Sequence, residues 1–264
     1  MVLPLKLSAN LGFLWSQEPL LVRIEKAAKA GFQGIEMHWP YDVSAQEVAR
    51  RCRELGLKVL SINTPQGDLA QGDSGLAAQP GRESEFRKAF ECSLDWARDS
   101  GASMIHVLPG KRCDDAQAST ASFLENLRWA SDLARPHGMT LLLEAINGRD
   151  KPGYFYHTQE ASDAIRESCG RSNVKLMFDV YHVGVAQGDI LKRLEQFLPH
   201  IAHIQVAGVP DRNEPDRGEV RYEVVFQHLV KIGYKGWIGC EYRATDDPVT
   251  GLIRWVNACG LCLR

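Results

Sequence analysis

Short apolar runs alternate along the chain with longer stretches of helical spacing. The runs Leu5 to Ala9, Gly34 to Glu36, Lys58 to Ile62, Met104 to Leu108, Thr140 to Glu144, Val174 to Asp179, Ile201 to Val206 and Trp237 to Glu241 are too short for helices, and most are aliphatic or β-branched, so they read as strands. Between the first two, a helix is predicted from Pro19 to Ala30, with Leu20, Ile24, Ala27 and Ala28 on one stripe and Gly31 as its stop. Gly56, Gly101, Gly138 and Gly233 hold the same place after later helices. Eight rounds of strand, helix and glycine predict parallel strands, and eight can close without leaving an edge. The expected fold is therefore an α/β chain folded as a (β/α)8 TIM barrel. An open doubly wound sheet is the competing architecture, but Asn10-Leu11-Gly12-Phe13 offers one glycine where a pyrophosphate cradle needs several. No repeat or Pro/Ser/Gly-rich linker divides the chain, and residues 1–264 read as a single domain.

Chemistry enters at the strand ends. Glu144, Asp179, Gln205 and Glu241 each close an apolar run, where burial is expected. Three desolvated carboxylates converging on one barrel mouth would repel one another. Each acid could instead cap the following helix or pair with an arginine, but four such residues on consecutive strands favour a shared cation. An all-oxygen donor set suits Mg2+ or Mn2+ better than zinc. His182 follows Asp179 closely and His106 lies on the fourth strand, where each could orient a substrate or be an ordinary buried histidine. The remaining histidines, His203 among them, carry less signal.

Three connections are long, Asn63 to Gly81, Asn147 to His157 and Ala207 to Tyr222. All follow strands, so they should wall the C-terminal face, where barrel active sites are built. Lys111, Arg149, Lys151, Arg212 and Arg217 lie on loops of that face and could receive an anionic substrate. Arg217 is the preferred candidate, because Glu214-Pro215-Asp216-Arg217-Gly218-Glu219 has the proline and glycine of a shaped loop.

Charge and cysteine use narrow the setting. A formal charge of -2 with interspersed signs gives no reason to expect nucleic acid or a membrane surface as partner, and a small molecule is expected instead. The start, Met1-Val2-Leu3-Pro4-Leu5-Lys6, lacks a basic region before an apolar run, and no apolar stretch nears the roughly 20 residues that span a bilayer. Seven cysteines without a disulfide framework fit reduced thiols, and Cys259-Gly-Leu-Cys262 has no second pair to complete a zinc site. The expected location is the cytoplasm. Assembly into a homo-oligomer stays open.

Several segments carry a resemblance: Ile62-Asn63-Thr64-Pro65, His106-Val107-Leu108-Pro109-Gly110, Glu144-Ala145-Ile146-Asn147 with Lys151-Pro152-Gly153-Tyr154-Phe155, His203 to Pro210, and Gly233 to Tyr242. Together they resemble the hydroxypyruvate isomerase family, within the xylose isomerase-like barrels that also include sugar epimerases and endonuclease IV. The stretch around Gln205 is the most specific, since the epimerases usually carry a histidine ligand there. The resemblance implies that Glu144, Asp179, Gln205 and Glu241 bind a divalent metal and that Glu144 and Glu241 exchange a proton between adjacent carbons. It also implies that His182 and Arg217 contact substrate; His106 and Lys111 complete the expected substrate set. The implied reaction interconverts hydroxypyruvate and tartronate semialdehyde. The alternative is 2-oxo-tetronate isomerisation by the same machinery, kept close by His38-Trp39, which departs from the bacterial hydroxypyruvate isomerases. A sugar epimerase, an endonuclease IV-like hydrolase and a non-catalytic sugar-acid binder stand further back.

Overall fold

The computed structural model describes residues 3–245 and 247–263. Met1 and Val2 of the chain's start lie outside the described residues. Eight parallel strands close into a barrel in sequence order, β1 (Lys6–Asn10), β2 (Gly34–Glu36), β3 (Lys58–Asn63), β4 (Met104–His106), β5 (Thr140–Glu144), β6 (Val174–Asp179), β7 (Ile201–Val206) and β8 (Trp237–Cys240). β8 pairs back onto β1, with Ser8 opposite Gly239 and Ala9 opposite Cys240, so no strand is left as an edge.

The helices between them are α1 (Leu20–Lys29), α2 (Ala45–Leu55), α3 (Glu83–Ser100), α4 (Ala116–Ala134), α5 (Gln159–Cys169), α6 (Val180–Ala186), α7 (Ile190–Phe197), α8 (Tyr222–Lys231) and α9 (Pro248–Ala258). Local rules explain their ends. Ser44, Asp115 and Thr158 cap α2, α4 and α5 by accepting backbone N–H groups. The predicted glycine stops, Gly31, Gly56, Gly101, Gly138 and Gly233, all adopt positive φ.

Alternation along the strands sorts side chains into two compartments. Leu141 and Leu143 face the helices and join the large core beneath them, whereas Leu142 and Glu144 face the barrel interior. Leu60, Met104, Leu142 and Met177 form a small separate plug within the strands. His106, Glu144 and Asp179 stand two residues further along β4, β5 and β6, so the interior changes from apolar to ionisable within one layer.

Four strands differ from expectation: β1 lies one residue later at both ends, β3 runs one residue further to Asn63, and β4 and β8 stop early. β4 stops at His106 rather than Leu108, because Leu108 N–H turns to the Thr64 hydroxyl at 3.0 Å. β8 stops at Cys240, leaving Glu241 at the start of the following loop. No described helix is long and apolar enough to cross a membrane.

Candidate active site

Glu144 and Asp179 are carried by β5 and β6, Gln205 by β7, and Glu241 follows β8, so the four come from consecutive neighbours in the barrel. A cavity of about 350 Å³ opens above them, lined by Glu144, Glu241, His106, His182, Lys151 and Arg212 among others. A roomier hollow of about 620 Å³ lies at the opposite end around Leu5, Leu7 and Lys235. No acids converge there, so chemistry rather than size selects the mouth.

Asp179 serves two neighbours at once. Its Oδ1 caps α6 by accepting the Tyr181 N–H at 2.8 Å, and its Oδ2 accepts from Arg212 Nη2 at 3.1 Å. The same Nη2 donates to Glu241 Oε1 at 2.6 Å. The Arg212 guanidinium sits between the rings of Phe13 and Tyr181, 4.7 and 4.9 Å from their centres. Its loop is tightly wound. Arg212 has a φ of 58°, its N–H donates to Gly208 O at 2.8 Å, and its carbonyl accepts from Arg243 N–H at 2.8 Å. Gly218 is required in this loop, because a Cβ there would lie 2.3 Å from the Val209 carbonyl oxygen.

Electrostatics divide the acids. Burial, then the charges of Glu241 and Asp179, push the Glu144 carboxyl well above its ordinary range. Burial likewise pushes Asp179 up to about 7 against the pull of Arg212. Burial would also raise Glu241, but Arg212 and His38 outweigh it and hold that carboxyl below its usual value. Glu144 Oε1 is buried with no hydrogen-bond partner, and so is Gln205 Oε1. Each such lone pair costs free energy unless a ligand meets it.

Two histidines beside Glu144, His106 and His182, are held in the neutral form. Burial lowers His106 to about 3 and lowers His182 well below its ordinary value. Asp150 N–H donates to Asn147 Oδ1 at 2.9 Å, which turns Asn147 Nδ2 toward His182 Nδ1 at 2.7 Å. His182 Nδ1 therefore accepts, and Nε2 carries the ring proton 3.6 Å from Asp179 Oδ2 and 3.7 Å from Glu144 Oε1. His106 Nδ1 lies 3.5 Å from Glu144 Oε2.

Glu144, Asp179 and His182 bring potential ligand atoms within 4.8 Å of one another, close enough to share one ion. The buried lone pair on Gln205 and the raised carboxyls of Glu144 and Asp179 fit a divalent cation with oxygen ligands.

Not every expected residue gathers here. Arg217 is 43% exposed and lies 3.9 Å from Glu214, while Arg212, five positions earlier, is the arginine that reaches the acids. Lys111 is exposed, and its backbone bridges to Tyr154. Lys151 instead lines the cavity, with its ammonium 5.5 Å from the Tyr154 ring centre. Two buried residues were missed, Asn10 and Glu36, although each ends a strand and Glu36 repeats the signature of an apolar run closed by an acid.

Comparison with known proteins agrees with this construction. Residues 24–259 match the xylose isomerase-like TIM barrel family. A 2-oxo-tetronate isomerase of Cupriavidus necator is 41% identical over 94% of this chain and 96% of its own length. The hydroxypyruvate isomerase of Escherichia coli is 34% identical over 96% of this chain and 98% of its own. A crystal structure of a family 2 AP endonuclease from Brucella melitensis superposes with a TM-score of 0.93 at 37% identity, covering 98% of this chain and 99% of that one. Strand order, the acids at the mouth and these matches agree that the chain belongs to the xylose isomerase-like TIM barrel family.

Proposed function

We propose that the protein is an isomerase of small hydroxy-keto acids, moving a proton between adjacent carbons of hydroxypyruvate to give tartronate semialdehyde. The observation that carries this reading is the buried pair of glutamates with opposite surroundings. Glu144 keeps one oxygen free of donors, whereas Glu241 is bonded through both of its oxygens.

A carboxylate with an uncommitted oxygen in a dry site is the stronger base, which supports Glu144 Oε1 as the atom that takes the carbon-bound proton and then returns it to the adjacent carbon. Glu241, held by Arg212 and Asn10, is the weaker base and handles the proton that moves between the substrate's oxygens. His182 Nε2–H is aimed at the acids and suits a substrate oxygen between them. Lys151 and Arg212 supply positive charge at the cavity wall for the substrate's carboxylate. Glu144, Asp179, Gln205 and Glu241 would hold Mg2+ or Mn2+, whose Lewis acidity would stabilise the developing enediolate by several kcal/mol. His182, with its proton toward the acids, fits the substrate better than the ion. All seven cysteines are unpaired, which supports a cytoplasmic setting.

A second reading has its own support. The 41% identical relative is a 2-oxo-tetronate isomerase, and a cavity of about 350 Å³ has room for one more carbon. One carbon changes discrimination by only about 1–3 kcal/mol, so the two acids compete for the same machinery. The endonuclease alternative gains less, since the metal-capable cluster among the described residues contains one histidine. Coupled assays with both acids and added Mn2+, with solvent deuterium exchange followed by NMR, test the proposal. Turnover and exchange of the carbon-bound proton are expected; neither acid showing exchange would sink it.

A further inference from the structure

Beneath the catalytic layer lies a buried carboxylate, Glu36, that takes no part in the proton transfer but is bonded to residues that do. Glu36, at the end of β2, is 1% exposed, and its side chain reaches across the barrel interior toward β7. Its Oε1 accepts from Gln205 Nε2 at 3.1 Å and from Asn10 Nδ2 at 3.0 Å. Its Oε2 is bonded to Nε2 of His203, which is fully buried. The same two amides also donate to Glu241 Oε2, Asn10 at 2.7 Å and Gln205 at a shorter distance. Glu36 and Glu241 are therefore tied together by a pair of amide bridges.

Two acceptor-only carboxylates meet one end of the Gln205 amide. That end must be the NH2, because only the NH2 of the amide can donate to a carboxylate oxygen. The opposite atom, Oε1, is then an oxygen by necessity, and it is the buried lone pair that no protein donor meets. Asn10 is anchored in the same sense, because its Oδ1 accepts from Gly12 N–H at 2.9 Å. The barrel also reserves volume for the carboxylate. Gly239 pairs with Gln205 across β7 and β8, and a Cβ on it would lie 2.3 Å from Glu36 Oε1.

Resting on the isomerase reading above, we propose that Glu36 is a positioning residue: its carboxylate, steadied by His203 and Asn10, locks the Gln205 amide so that Oε1 faces the cation. A glutamine is a poor ligand if it is free to turn, since the flipped amide would present N–H hydrogens to a positive ion. Glu36 removes that freedom without touching substrate, because it is not part of the cavity wall. This also assigns a chemical reason for an amide at a position where a histidine ligand would otherwise serve. The lock needs a side chain that donates downward to carboxylates and accepts upward, and glutamine does both.

The test is a double-mutant cycle on Mn2+ binding, read by calorimetry on metal-free protein with no substrate present. Glu36→Gln preserves the side chain's shape but gives the Gln205 amide an alternative partner, and it is expected to weaken Mn2+ binding by about 10–100-fold. Gln205→Ala should weaken it at least as much. If Glu36 acts through Gln205, then Glu36→Gln costs nothing further in the Gln205→Ala background. A Kd for Glu36→Gln within about twofold of the original, or losses that multiply in the double variant, overturns the proposal. Should Glu36→Gln fail to fold, His203→Gln loosens the same carboxylate and is read through the same cycle, with the same two outcomes. Original protein that binds no Mn2+ sinks the metal-assisted isomerase reading instead, so the two failures are distinguishable.

Discussion

The two sides of the barrel mouth contrast in how far their polar groups are satisfied. On the side of β4, β5 and β6, Glu144 Oε1 and both ring nitrogens of His106 are buried without partners, and the carboxyls of Glu144 and Asp179 are pushed upward. On the side of β1, β2, β7 and β8, the carboxylates of Glu36 and Glu241 are bonded through both oxygens by Asn10, Gln205, His203 and Arg212, while Gln205 Oε1, which faces away from that network, His203 Nδ1 and Ser8 Oγ lack partners. A carboxylate oxygen is left open where a ligand will meet it and bonded where the fold must hold still. The open side reads as the reacting half and the closed side as its mount.

The contrast can be broken most severely at its open end. Glu144→Gln should cut kcat by about 10²–10⁴-fold with the fold retained by circular dichroism, and near-normal turnover would remove the basis for calling that side reactive. Next in size is the link between the halves. Arg212→Met leaves Asp179 and Glu241 without their shared cation and should destabilise the metal-free protein by about 3–5 kcal/mol in urea titrations, with less loss when Mn2+ is present.

The open side should also respond to pH. Asp179 rises from an ordinary 3.8 to about 7 in the fold, so its protonated form stabilises the metal-free protein below that ordinary value, and the contribution is lost as pH climbs through about 7. Thermal melts of metal-free protein should therefore fall across this window, and added Mn2+, which competes with protons for the same oxygens, should bind more tightly as pH rises. A flat melting profile would show that the open side is compensated in some other way.

Smaller effects sharpen the closed side. Gly239→Ala crowds Glu36 and should cost about 1–3 kcal/mol of stability by the same urea measurement, together with a weaker hold on Mn2+. Smallest of all, Arg217→Ala should change kcat/KM by less than about twofold, as expected for an exposed ion pair; a large rise in KM would return that residue to the substrate site.

The fold was legible because alternation and glycine stops are local signals. β2, β5, β6 and β7 begin and end at the residues their apolar runs predict. The run through Leu108 misled because Val107 and Leu108 are buried without remaining in the strand; burial and strand pairing part company at a loop that packs inward. Glu144, Asp179, Gln205 and Glu241 stood out because each polar group closes an apolar run. Glu36 offered the same sign in a run of three residues, too brief to carry weight, and Asn10 follows an alanine just beyond the predicted end of β1. Arg212 could not be separated from Arg217 by sequence, since the left-handed turn that aims it inward is set by backbone contacts between Gly208, Asn213 and Arg243.

That tight turn has a thermodynamic corollary. A flexible arginine surrenders about 2 kcal/mol of rotamer freedom when it is immobilised, and on a loose lid this loss would recur at every encounter with substrate. Here Arg212 is already gripped by two rings, two carboxylates and its own backbone, so its ordering is complete when the chain folds. An arriving anion meets a cation whose place is settled, and its binding free energy need not be spent on arranging that contact.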